Sequence, residues 1–183
     1  MNTDAVRPLR DQAGTAQDQL SRLWAPWRGA YVAGDDAAEP SAGCPFCVLP
    51  GRGPDADRSS LILHRGDAVY VILNAYPYNP GHLMVVPFDH VSDVAELGPD
   101  VAAELWRVGL AAIAVLREAL RCEGVNVGLN LGAAAGAGIA DHVHLHAVPR
   151  WVGDTNFVSV VGATRVLPRA LQEVYDALAP GFA

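Results

Sequence analysis

The chain has 183 residues, of which 51% are hydrophobic and 18% charged, with a formal net charge of −7. That length and composition suit one globular domain with extensions and exclude a disordered chain. All 13 basic residues are Arg, which excludes chemistry needing Lys, such as the P-loop Lys, and gives no clustered basic charge for a broad nucleic-acid surface.

Residues 1–21 are polar and aperiodic, and are expected to form a flexible arm before a single domain over 22–183. No apolar run there resembles a signal peptide or anchor, and the apolar stretch 108–116 is too short to span a bilayer. A soluble cytoplasmic protein is expected, with its three Cys reduced. The segment Leu23–Tyr31 carries Trp24, Trp27 and Tyr31 and is expected to dock on something. The Gly/Pro/Asp-rich connection 35–58 holds Cys44-Pro45-Phe46-Cys47. A loop that long calls for something to tie it down, and a Cys-x-x-Cys pair is half of a tetrahedral zinc site.

Regular structure is expected from residue 61. Short strands at 61–64 and 69–73 flank the turn Arg65-Gly66-Asp67, a hairpin pattern. A loop with two Pro covers 74–81, and a third strand covers 82–87. The spacing of Val101, Leu105, Val108, Ala112, Val115 or Leu116, and Ala119 or Leu120 predicts a helix over 101–121, with Gly124 as its stop. Strands are expected at 125–131, at 142–148 ended by Pro149, and at 157–161, with the small-residue loop 132–138 between the first two. A closing helix is expected over 168–179. Short turns between consecutive strands favour an α+β antiparallel sheet with one long and one C-terminal helix.

The sharpest feature is Asp141-His142-Val143-His144-Leu145-His146-Ala147-Val148. On a strand, side chains alternate with period two, so the three imidazoles share one face and the apolar residues the other. Three His on one exposed face have no packing rationale. They suit either a metal site or phosphorus chemistry. Neutral imidazole is a nucleophile when its second nitrogen is held by a hydrogen bond, and neighbouring His can donate to phosphate and leaving-group oxygens.

The run matches the histidine-triad signature, His-φ-His-φ-His-φ-φ with φ apolar. Other stretches resemble the same superfamily in order: Leu23–Arg28, Leu73–His82, Asn126–Gly132, and Pro149-Arg150-Trp151 through Asn156-Phe157. Together they cover about residues 22–170, and the similarity is greatest to the bacterial, diadenosine tetraphosphate phosphorylase-like branch. The resemblance implies a histidine-triad fold and a homodimer. It implies that His144 is the nucleophile, that His146 contacts the attacked phosphate and that His82 supports the triad. Asn74 would bind the ribose. Asn130 and the Gly-rich loop, Gly136 included, would take phosphates. It also implies a structural zinc ion held by Cys44, Cys47, His90 and His142. Many triad hydrolases carry Ser or Thr shortly before the first His; Gly138, Ile139 and Ala140 stand there here.

The expected activity is nucleotidyl transfer from dinucleoside polyphosphates through a histidine intermediate, with phosphate as acceptor. Transfer to water, a zinc-stabilised nucleotide-binding module without turnover, and a metal buffer are the rivals. Cys122 is expected as a core thiol and His64 as a surface or core-edge residue. Trp24, Trp27, Tyr76, Tyr78 and Trp151 suit either packing or stacking on a nucleobase.

Overall fold

The structure is a computed structural model that describes residues 43–155 and 169–183. The expected arm, the aromatic segment 23–31 and the strand at 157–161 lie outside the described residues. Two short helical turns, α1 (Pro45–Val48) and α2 (Asp57–Ser60), lead into a sheet. Its strands are β1 (Ile62–Arg65), β2 (Val69–Leu73), β3 (Leu83–Pro87), β4 (Gly124–Leu129) and β5 (Leu145–Arg150). Helix α3 (Pro99–Leu120) connects β3 to β4, and α4 (Leu171–Leu178) closes the chain. The strand order is β1-β2-β3-β5-β4, antiparallel throughout. The fold is α+β, as expected.

The two faces of the sheet are covered differently. Val71 and Leu73 of β2, Leu83 and Val85 of β3, and Leu145 and Ala147 of β5 pack under Leu105, Ala112 and Leu116 of α3 and Val174 and Leu178 of α4. Each Leu fully buried there is worth about 1.5–3 kcal/mol. The other face carries a second apolar cluster of Ile62, Tyr70, Ile72, Met84 and Val86, roofed by Phe46 from the Cys-containing segment. The period-two rule thus divides β1, β2 and β3 between a helix-covered side and a loop-covered side.

Helix α3 starts with Pro99 in its first turn and ends at Arg121, which takes the left-handed cap with φ 52°. Gly124 is not the stop; it opens β4. Gly109 sits where the helix comes nearest β5: a Cβ there would lie 2.8 Å from the Leu145 side chain. Glu104 lies on the buried stripe, against the apolar pattern. Its carboxylate accepts the amides of Asp67 (2.8 Å) and Ala68 (3.0 Å), closing the turn between β1 and β2.

The expected end of β5 at Pro149 is corrected. Pro149 lies inside the strand, opposite Val125. Its carbonyl points away from β4 toward Asn79, so its nitrogen faces the same side, where no ladder partner needs an N–H. No described helix is long and apolar enough to cross a membrane.

Candidate active site and metal centre

The histidine run lies on the loop-covered face, as alternation requires, but two expectations change. The strand begins only at Leu145, so His142 and His144 precede it. Upstream, the Val143 amide donates to the carbonyl of Val91 (2.7 Å), and the chain follows that loop instead of β3. Nor is the face exposed: His142 is 0%, His144 5% and His146 8% exposed. Phe46 covers it, with its ring 5.5 Å from that of His142 and 5.0 Å from that of His144. Ile139 joins the same apolar cover.

Hydrogen bonds set the tautomers. His144 Nδ1 lies 2.8 Å from the carbonyl of His142, which can only accept, so Nδ1 carries the proton and Nε2 the lone pair. Burial pushes the His144 pKa below the usual imidazole value, partly offset by that hydrogen bond, and favours the neutral ring a nucleophile needs. A second chain runs alongside. The Tyr78 amide donates to His82 Nδ1 (3.1 Å), and the Asn74 amide nitrogen reaches the same atom (3.3 Å). His82 Nε2 therefore carries its proton and donates to His146 Nδ1 at 2.9 Å. His146 is left with its proton on Nε2, a donor. The His144 and His146 rings meet edge to face at 4.6 Å. A basic nitrogen thus stands beside a donor, an arrangement suited to attack on a phosphorus whose oxygens need neutralising.

His82 owes its place to Gly81. The turn there needs φ 85°, and a Cβ would lie 2.4 Å from Leu120. Asn74 Oδ1 accepts the Tyr76 amide (2.9 Å), so its carboxamide is fixed by an Asx turn as well as by His82. Asn130 directs Nδ2 at the carbonyl of Gly136 (3.5 Å), folding the 130–136 loop on itself. Gly136 has φ 85°, accessible to Gly at little cost. Tyr78 lies against both His82 and His146, with ring centroids at 4.4 and 5.9 Å, whereas Tyr76 is 82% exposed. Trp151 packs against the helix-side core. His64 stacks on Phe182 at 6.0 Å, a core-edge place. Cys122 is partly buried, and burial raises its thiol pKa.

The four residues assigned to zinc by resemblance converge. One ligand atom from each of Cys44, Cys47, His90 and His142 lies within 4.8 Å of all the others. Cys44 Sγ is 3.4 Å and Cys47 Sγ 3.6 Å from His142 Nδ1. His90 Nδ1 is 3.3 Å from Cys47 Sγ and 3.2 Å from His142 Nδ1. A tetrahedral zinc ion with bonds of about 2.0–2.3 Å needs ligand atoms roughly 3.3–3.8 Å apart, so the set fits in number, chemistry and span. His142 Nε2 donates to the carbonyl of Pro87 (2.9 Å), which leaves Nδ1 for a metal. The Tyr70 hydroxyl, its pKa pushed up by burial, donates to the carbonyl of Phe46 (2.7 Å) between the two Cys.

Sequence reasoning missed the partners that hold these groups: Phe46, Tyr70, Asn79 and Asp154. Phe46 could have been suspected from its place between the Cys, and Asn79 from its place three residues before His82. Tyr70 and Asp154 gave no local signal.

Comparison with known proteins agrees with this geometry. The HIT domain model matches residues 56–152. The chain is 42% identical over 178 residues to the AP-4-A phosphorylase of Mycobacterium tuberculosis, covering 94% of this chain and 90% of that one. Among solved structures, a zinc-bound histidine triad family protein from Mycobacterium smegmatis aligns with TM-score 0.61 at 27% identity, over 76% of this chain and 93% of that one. A hypothetical histidine triad nucleotide-binding protein from Sulfolobus tokodaii aligns with TM-score 0.59 at 25% identity, over 76% and 89%. With buried imidazoles in register, a preceding Cys pair and relatives along nearly its whole length, the chain belongs to the HIT family.

Proposed function

We propose that this chain cleaves dinucleoside polyphosphates of the diadenosine tetraphosphate type by nucleotidyl transfer through His144, with inorganic phosphate as acceptor. The observation that carries the reading is the tautomer pattern: a lone pair on His144 Nε2 beside a proton on His146 Nε2. The 42% identical phosphorylase supports the substrate class and the acceptor. His144 Nε2 attacks the phosphorus and forms an N–P bond. The P–O bond to the departing nucleoside polyphosphate breaks, and the polyphosphate leaves as its anion, its oxygen accepting a hydrogen bond from His146 Nε2–H, since position 139 is apolar here. A phosphate oxygen then attacks the nucleotidyl group, the N–P bond breaks, and a nucleoside diphosphate leaves. His82 holds the tautomer of His146. Asn74 binds the ribose with the donor and acceptor capacity its Asx turn leaves, and Asn130 and the loop at Gly136 take phosphate oxygens.

Zinc on Cys44, Cys47, His90 and His142 supplies a structural cross-link between the Cys segment and the residues before β5. The working form is a cytoplasmic homodimer. Among the described residues β4 has no strand on its outer side, and Val127, Trp106 and Leu110 expose apolar side chains suited to a second copy.

The test is diadenosine tetraphosphate with and without phosphate, for the wild type and for His144→Asn. ATP plus ADP should form only with phosphate, and the variant should lose at least about 10³-fold in rate. Equal turnover by both proteins would remove the enzyme reading. AMP plus ATP formed without phosphate would make it a hydrolase. Metal analysis should find one zinc per chain; several labile ions would indicate a metal buffer.

A further inference from the structure

Two parts of the stretches singled out in the sequence play no part in the chemistry above: the Asn79 side chain, and Pro149-Arg150-Trp151 with the residues that follow. In the fold they meet. Asn79 is 5% exposed. Its Nδ2 donates to the carbonyl of Pro149 (2.9 Å) and to Asp154 Oδ2 (2.7 Å), and its own backbone carbonyl accepts the amide of His82 (3.0 Å). Both amide hydrogens are thus used, each on an acceptor at the end of β5. Asp154 Oδ2 also accepts from Arg150 Nε (2.7 Å) and the Trp151 amide (3.1 Å). Its Oδ1 accepts from Arg150 Nη2 (2.8 Å) and Thr155 Oγ1 (3.0 Å). Arg150 Nη1 reaches Asn126 Oδ1 on β4 (2.8 Å). A carboxylate held by five donors cannot turn without breaking several of them.

We propose that Asn79 and Asp154 are positioning residues for the phosphate-facing histidines: together they latch the turn that carries His82 to the end of the strand that carries His146. The proposal rests on the reading of His82 and His146 given above. His82 lies on the turn just before β3 and His146 within β5, and their 2.9 Å contact depends on how that turn sits against β5. The β3–β5 ladder, which begins with Leu83 opposite Ala147, joins the two segments just after His82, and the Asn79 amide adds a side-chain tie from the turn itself to the end of β5. Asp154 anchors the tie, and Arg150 holds its pKa well below the usual carboxylate range, so the anchor stays ionised. Release of the latch lets His82 Nε2 drift from His146 Nδ1. The His146 proton is then no longer confined to Nε2, and a fraction of molecules meets the phosphate with a lone pair.

The test compares wild type, Asn79→Ala, Asp154→Asn and the double variant with diadenosine tetraphosphate and phosphate. The tautomers of His82 and His146 are read in substrate-free protein by long-range 15N NMR. Outer hydrogen-bond partners of active groups typically carry about 10–100-fold in activity. Each single variant should therefore lose kcat by about that factor with KM within about threefold, and the double should be little worse than either. Wild-type His82 should be a single Nε2–H tautomer, and His146 in the variants a mixture. A lower Tm with unchanged kcat and unchanged tautomers would reduce the latch to a structural contact and overturn the proposal. A wild type inert toward the dinucleotide would overturn the functional reading instead, and the NMR arm would still decide the latch.

Discussion

The two flanks of His144 are held by different means. Upstream, His142 belongs to a set of two thiols and two imidazoles whose spacing suits a metal ion, and its carbonyl fixes the proton of His144. Downstream, His146 is held by His82, and His82 by a backbone amide and the Asn79–Asp154 latch. On the proposed function, order on the first flank depends on an ion and on reduced sulfur. Order on the second is encoded in the chain alone. On that reading the histidine row loses half its support to a chelator or an oxidant while the other half stands.

Metal removal should therefore produce the largest asymmetry. Chelation, or Cys47→Ser, should lower Tm by roughly 10 °C or more, as loss of a few kcal/mol does in a domain this size. Far-UV circular dichroism should stay near native below that Tm, since the helix-side core takes no ligand from the Cys segment. Equal Tm in zinc-replete and chelated protein would break the comparison. Tyr70→Phe comes next. It leaves the buried Phe46 carbonyl without its donor, at about 1–3 kcal/mol. Calorimetry should find that deficit in the zinc form and little of it in chelated protein, where the segment has already come free. A deficit of equal size in both forms would show that Tyr70 serves the core and not the metal flank.

The smallest effect belongs to the downstream flank. Asp154→Asn should cost about 1 kcal/mol, discounted because Arg150 is 43% exposed. Its hydrogen bond with Arg150, first among several causes, holds Asp154 well below its usual pKa in the fold. A depressed carboxyl pKa adds stability above the unfolded value, about 3.9, and that stability fades as pH falls toward the folded value. Urea titrations of wild type and variant should therefore differ by a constant amount from pH 8 to 5 and converge below pH 4. A gap that opened at neutral pH would assign the effect to another group.

Much of this was legible in the residues. Strand β2 falls at 69–73 as the hairpin pattern indicates, and His142, His144 and His146 share a face. The Cys pair, His90 and His142 meet as the resemblance implied. Boundaries failed where a tertiary partner overrode the local pattern. Val143 pairs with Val91, which delays β5 to Leu145, and Asn79 takes the carbonyl of Pro149, which lets that strand run through a proline. The imidazoles looked exposed because nothing local announces that Phe46, nearly a hundred residues upstream, will roof them. Glu104 breaks the apolar stripe of α3 for the same kind of reason: its carboxylate serves a turn more than thirty residues away.

One peptide amide has a consequence beyond its size. The N–H of Tyr78 points at His82 Nδ1, and an amide hydrogen can only be given, never received. The polarity of two successive imidazoles follows from that bond, which the Asn74 amide nitrogen seconds, and with it the sign presented to an arriving anion. No exchange of side chain at position 78 reverses it, because the determinant lies in the backbone; proline, which lacks the hydrogen, would leave the Asn74 amide nitrogen to set the direction.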